Sequence, residues 1–366
     1  MRFRKRAKLF PGVYLHFSKS GISTTIGVRG ASVNFNKQGT FLNTGIPGTG
    51  LYDRQKIGGG KNGNQNLPIE LPVEMQPNEE TGSIKSEQAE LTTTEGLHEL
   101  KMTLLDCYQE RIDLKKEIVK VKGKLIFATI LLTLSYLLIF GFFVKWFKEN
   151  RSQTKEYLAD LKNQLGNCYV NIDMQLAPKI EERFSQLLED YKQLISSEKI
   201  WDITSSISID QKSTRSAASA SVTRKQVKFG FSNIDIVKSK YNALHFENAN
   251  GGDLYIYPAF IAIVDSQKKF GLVDIRELNF DFHGQRFLEE EKVPKDSQVI
   301  GQTWAKVNKN GTPDKRFKDN YQIPICLYGE FSLTCETGLN EAYSISSYEK
   351  AEKFARSMEE FKMTIK

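Results

Sequence analysis

The chain has 366 residues, enough for two or three domains. Hydrophobic residues make up 40% and charged residues 26%, an ordinary globular balance, and the formal net charge is +7. Cys107, Cys168, Cys326 and Cys335 form no C-x-x-C pair and the four histidines lie far apart, which argues against a zinc site and against a disulfide framework.

Charge is unevenly spread. Met1–Lys61 carries eleven Lys/Arg against Asp53 alone, a net +10. Asn62–Leu100 carries eight Glu against Lys85, a net −7. A basic module followed by an acidic connector points to an anionic partner, with Arg4, Lys5, Arg6, Lys8 and Arg29 as candidate contacts. The plainer reading is a basic domain balanced by its own linker. The opening residues are basic but no apolar run follows, so they are not a cleavable signal peptide.

Residues 1–57 read as a small antiparallel β-meander. Val13, Leu15 and Phe17 alternate with Tyr14 and His16, and Ile22, Thr24, Ile26 and Val28 follow. Gly21, Gly30 and Gly39 recur every nine residues, which suits a short strand plus a turn. Pro47-Gly48 fits a type II turn. No helix pattern follows these glycines to aim amides at a phosphate, so turn geometry is the better explanation for them.

Phe3-Arg4-Lys5-Arg6, Pro11-Gly12-Val13, Ser18-Lys19-Ser20-Gly21, Ser23, Gly27-Val28-Arg29-Gly30 and the Ile46–Leu51 turn resemble a bacterial family catalogued as domain of unknown function 4236. The resemblance spans about residues 2–54. It implies an accessory β-module on bacterial proteins and transfers no activity or catalytic residue.

Residues 58–95 lack an apolar period and read as a flexible acidic linker. A helical stalk is expected over 96–200. Leu97, Leu100, Leu104, Cys107, Arg111, Leu114, Ile118, Val121 and Leu125 alternate spacings of three and four, a heptad seam. The seam fits one amphipathic helix on a neighbour, or a coiled coil that makes a homo-oligomer or holds a protein partner. Twenty uncharged residues then lie between Lys124 and Lys145, fourteen of them Leu, Ile, Phe or Val. At 1.5 Å per residue they would span about 30 Å, so a transmembrane helix is expected over 125–147, in contact with membrane lipid. Six basic residues before it and four after it favour a cytoplasmic N-terminus, with the bacterial inner membrane as the expected location. Leu158, Leu161, Leu165, Cys168 and Ile172, then Ile180, Phe184, Leu187, Tyr191 and Leu194, extend the helical pattern on either side of Pro178.

A Ser/Ala-rich loop is expected over 201–225, and residues 226–366 read as a β-rich domain. About seven strands are expected, followed by a helix with Ala351, Phe354, Ala355, Met358 and Phe361 on one face. That order is similar to a pleckstrin-homology-like barrel, a likeness of fold that carries no function.

No G-x-S-x-G, H-E-x-x-H or Walker A pattern is present, so no enzyme, no cofactor and no metal are expected. Glu289-Glu290-Glu291 reads as a solvated loop. One dense polar stretch, Trp304–Asn320, interleaves cations with aromatics; Trp304, Lys306, Lys309, Asp314, Arg316 and Phe317 are candidate ligand or partner contacts. The expectation is therefore an α+β, single-pass, membrane-anchored binding or scaffold protein. The alternatives are nucleic-acid or anionic-lipid binding through the basic module, or an enzyme acting through the C-terminal domain.

Overall fold

The computed structural model describes residues 82–89, 92–137, 141–210, 216–266, 269–308 and 311–365, with the backbone of six strands between residues 3 and 56; the side chains of those strands and of residues 137 and 141–143 are excepted. The described elements make an α+β chain with several sheets and four α-helices. They fall into two compact units, residues 1–3, 19–78 and 110–169, and residues 4–18, 79–109 and 170–366.

In the first unit, β3 (Thr24–Val28), β4 (Ala31–Asn36), β5 (Gly39–Gly45) and β6 (Tyr52–Lys56) form an antiparallel meander in sequence order. The meander read over 1–57 thus takes in four strands, and its first two strands belong to another sheet described below.

The helical part of this unit comes from α1 (His98–Leu137), from residue 110 on, and α2 (Gly141–Asn167). Arg111 Nη1 donates to the Cys168 carbonyl at 3.0 Å, and Arg151 Nε donates to Thr129 Oγ1 at 3.1 Å. Along α1, Arg111 and then Thr129 meet Cys168 and then Arg151, so the two helices run antiparallel as a hairpin. Of the heptad seam, Leu114, Ile118 and Val121 are buried on this part of α1; Ala128 and Leu132 beyond it, and Leu158 and Leu161 on α2, are buried as well.

This arrangement overturns the expected transmembrane helix at 125–147. The uncharged run is divided. Thirteen of its residues, 125–137, end α1 directly behind Lys120, Lys122 and Lys124; residues 138–140 lie outside the described residues; and α2 reaches Lys145 within its first five residues. Thirteen helical residues rise about 20 Å, short of the ~30 Å hydrocarbon core. Among the described residues no helix is long and apolar enough to cross a membrane. The finding counts against a single-pass membrane protein in a bacterial inner membrane, and the fold class loses its transmembrane element.

The second unit holds three sheets. One has the order β1 (Phe3–Phe10), β2 (Val13–Lys19), β7 (Val170–Leu176), β11 (Val237–Ser239), with β7 and β11 parallel. In β7, Val170, Ile172 and Met174 are buried alternately, so this stretch follows period two and does not continue the helix.

A second, antiparallel sheet has the order β10 (Phe229–Phe231), β12 (Leu244–Phe246), β13 (Asp253–Ile256), β14 (Phe260–Val264), β15 (Phe270–Asp274). The third has the order β16 (Asn279–Leu288), β18 (Gln322–Thr334), β19 (Asn340–Ile345), β8 (Ile200–Ser208), β9 (Ala220–Gln226), with β17 (Gln298–Trp304) also on β18. Residues 201–225, expected as a loop, therefore contain most of two paired antiparallel strands; residues 211–215 lie outside the described residues.

Helices α3 (Pro178–Leu194) and α4 (Tyr348–Ile365) pack on each other. Proline at the first turn of α3 fixes its start, and Ile180, Phe184, Leu187, Tyr191 and Leu194 form its buried face. The residues read as the apolar face of α4 are all buried. The core lies where Phe246 of β12, Phe331 of β18, Tyr343 of β19, Tyr191 of α3 and Phe354 of α4 meet, with ring centroids 5.3–6.3 Å apart in the contacting pairs.

The end of the expected linker is an ordered strap. Ser83 bridges Ser205 of β8, Ile84 N donates to Thr204 O at 3.0 Å and Ser206 N to Gly82 O at 2.7 Å. Farther on, Thr93 bridges Leu272 of β15 and Thr94 N donates to Leu272 O at 2.9 Å. The strap approaches β15 so closely that a Cβ on Gly271 would sit 2.2 Å from Thr92 O and 2.5 Å from Ala89 O. Both are backbone atoms and cannot rotate away. Gly271→Ala is expected to lift the strap without unfolding the sheets. Limited proteolysis should then cut between residues 82 and 94 faster than in the wild type, while the far-ultraviolet circular dichroism stays the same.

Candidate functional site

The candidate contacts in Trp304–Asn320 fold into a self-stapled loop. Trp304 ends β17, paired with Gln322. Lys306 N donates to Asn320 Oδ1 at 2.9 Å, and Asn320 Nδ2 returns a bond to Lys306 O at 2.8 Å. Asp314 is buried and accepts from Arg316 N at 3.1 Å, Arg316 Nε at 2.9 Å and Arg316 Nη2 at 2.7 Å. The Arg316 guanidinium is thereby bound by the loop's own carboxylate. Phe317 is exposed, with the Lys306 ammonium 5.8 Å from its ring centre. The same Asp-x-Arg staple recurs where Asp274 grips Arg276, so it is a local turn device of this chain. Lys309 and Arg29 lie outside the described residues, and the side chains of Arg4, Lys5, Arg6 and Lys8, on β1, are not among those described.

The densest polar chemistry lies instead on the two faces of β8. On one face, Arg224 of β9 stacks between Trp201 and Phe287, its guanidinium carbon 4.1 Å from each ring centre. Its Nη2 donates to both Glu289 oxygens at 2.8 Å. Tyr328 Oη donates to Glu289 Oε2 at 2.6 Å and Glu291 N to Oε1 at 3.0 Å. Glu289, read as part of a solvated loop, is only 1% exposed. Burial pushes its carboxyl up, but the Arg224 and Tyr328 bonds outweigh this and hold it below the usual carboxylate range. The Glu289 carboxylate on this face is fully engaged, whereas Arg224 Nη1 is buried without a hydrogen-bond partner among the described residues, so the pair is a structural tie with one donor unmatched.

The opposite face carries Asp202, next to Trp201 in sequence and fully buried. Asp202 pairs in register with Tyr343 of β19, and Glu341, two residues before Tyr343, shares its face. Asp202 Oδ2 accepts from Ala249 N at 2.8 Å. Glu341 Oε1 accepts from Ser86 of the strap, through Oγ at 2.5 Å and through N at 3.2 Å. The second oxygen of each carboxylate, Asp202 Oδ1 and Glu341 Oε2, has no hydrogen-bond partner among the described residues. Tyr343 Oη, Asn250 Oδ1 and Asn248 Nδ2 are buried in the same condition. Half of the unpartnered buried side-chain atoms found among the described residues thus belong to this one cluster.

Burial pushes the Glu341 carboxyl up to about 7 against the Ser86 hydrogen bonds and the nearby Asn248 amide, with the repulsion of Asp202 adding to the rise. Burial also raises Asp202, against the Ala249 amide and the field of Lys225. A cleft of about 590 Å³, lined in part by Ser86, Asn250 and Gly251, opens beside them. Among the described residues no group of three or more His, Cys, Asp or Glu is arranged to hold a metal.

Neither buried cluster was anticipated from sequence. Asp202 lay in an expected loop, and Glu341 lay on a strand hidden by its polar residues. Comparison with known proteins adds one finding. A family described as "Protein of unknown function (DUF4236)" matches residues 1–54. No curated protein matches the chain, and no solved structure matches it, so the likeness to a pleckstrin-homology-like barrel is without support.

The Glu341 position sets a pH dependence. A folded carboxyl raised above its ordinary value near 4.5 contributes stability that is complete below that value and lost as pH rises through about 7. In the presence of a chelator, wild type should lose on the order of 3 kcal/mol relative to Glu341→Gln between acid and mildly alkaline pH. Urea unfolding across that range checks this, and parallel curves for the two proteins would contradict it.

Proposed function

We propose that this protein is a non-enzymatic scaffold that self-associates through its helical hairpin and presents its β-modules in pairs. The observation that supports this reading is the apolar surface of the hairpin. Ile126, Phe127, Ile130, Leu134, Tyr136 and Trp146 are each more than 40% exposed. Ile126, Ile130 and Leu134 recur every four residues, away from the positions that close the internal seam.

A second copy of the chain fits this stripe by charge. Lys115, Lys116, Lys120, Lys122 and Lys124 lie behind the apolar end of α1. An antiparallel two-fold contact centred on Ile130 sets Ile126 of one copy against Leu134 of the other. It keeps the two lysine clusters at opposite ends of the contact. A parallel contact would align them and be repelled. The other ionisable groups favour scaffolding over turnover. Arg224–Glu289, Arg276–Asp274 and Arg316–Asp314 are closed pairs within the chain.

Light scattering on the full chain tests the proposal. The expected mass is about twice the 41.7 kDa of the single chain. Ile126→Glu, Ile130→Glu and Leu134→Glu together are expected to give the single-chain mass with unchanged circular dichroism. A wild-type monomer, or a monomer that instead sediments with anionic vesicles, would overturn it.

A further inference from the structure

The cluster on the inner face of β8 has no role in self-association. We infer that Asp202, Glu341 and Asn250, with Tyr343 beside them, form a binding site for a hard divalent cation, Ca²⁺ first, beneath the strap.

Two fully buried carboxylates repel one another, and among the described residues no cationic side chain is hydrogen-bonded to either. Lys225 acts on Asp202 only through its field. Buried charges of one sign are costly unless a counter-charge sits among them. A divalent ion neutralises both at once.

Each carboxylate uses one oxygen on backbone or hydroxyl donors; the other, Asp202 Oδ1 and Glu341 Oε2, meets no hydrogen-bond geometry among the described residues, although the Asn248 amide lies near enough to favour the charged form of Glu341. Independently, the Tyr343 hydroxyl is fully buried and unpartnered, and it feels both Glu341 and Asp202. Asn250 Oδ1 adds a neutral acceptor. The donors are therefore all oxygens, the set that suits Ca²⁺ or Mg²⁺ and not Zn²⁺. They come from two strands and a loop, and the flexible coordination of Ca²⁺ tolerates such mixed origins better than the strict octahedron of Mg²⁺.

Ser86 and Gly251 line the adjoining cleft, which gives access to the site. Ser86 itself bonds to Glu341, and a Cβ on Gly251 would sit 3.5 Å from Glu341 Oε1. The cleft is thus one layer away from the carboxylates. An ion entering there would bind under the strap and tie residues 82–89 to β8 and β19.

Calorimetry with Ca²⁺ on the chelator-treated full chain, with Tb³⁺ luminescence excited through tyrosine, tests the inference. One ion per chain is expected to bind, to raise Tm and to sensitise Tb³⁺. Asp202→Asn and Glu341→Gln should each weaken Ca²⁺ at least tenfold, whereas exposed Asp281→Asn should not. In chelator both variants should be at least as stable as wild type, because the like-charge pair is relieved, so a lost response is not lost folding. Should a variant fail to fold, wild type alone still decides. An unchanged Tm with Ca²⁺, Mg²⁺ and chelator alike and no Tb³⁺ signal would overturn the inference. Full affinity in either variant would also overturn it.

Discussion

The second unit depends on a strap of chain that supplies backbone partners to two free strand edges. β8 pairs with β19 only from Ile200 to Asp202. Beyond that its edge is open, and residues 82–84 take it over through Ser83, Ile84 and Ser206. β15 ends the five-stranded sheet, and Thr93 and Thr94 cover part of its outer edge. Open edges leave unpaired amides and carbonyls, which folded chains must pair or protect. A segment only about a dozen residues long thus joins both sheets before α1 begins.

The same strap explains why the buried charges differ across β8. Arg224 and Glu289 face each other with aromatic rings above and below, so the pair is desolvated together and the carboxylate is fully engaged. Asp202 and Glu341 face the strap and the 248–252 loop, which supply donors to one oxygen of each and leave the other without a hydrogen bond among the described residues. A strand with a closed tie on one side and an open polar cluster on the other separates stability from chemistry within two adjacent residues, Trp201 and Asp202.

Much of the architecture was legible where apolar residues carry the period. Ile180 to Leu194 and Ala351 to Phe361 keep helical spacing, and α3 and α4 form there. Gly329 lies within β18 and admits α4, since a Cβ there would sit 2.3 Å from the Ala351 methyl. Legibility failed where polar residues are buried. β19 carries buried Glu341 and Ser344, and the strap carries buried Ser86 and Thr92, so hydropathy hid both. The apolar run after Lys124 misled for a different reason, because composition does not reveal that α1 and α2 pair antiparallel, with the two ends of the run on different helices. Charge density likewise drew attention to Arg316, whose partner Asp314 lies two residues away.

Hydrogen exchange at single amides tests the strap most directly. The donors Ile84 N, Ser206 N and Thr94 N all depend on strap pairing, and none lies within a helix. If the strap is integral to the second unit, these amides exchange only as slowly as those of β13 and β14, through a shared opening of the unit. If residues 82–94 behave as a linker, the three amides exchange at near-unprotected rates while β13 and β14 remain protected. That result would contradict the account.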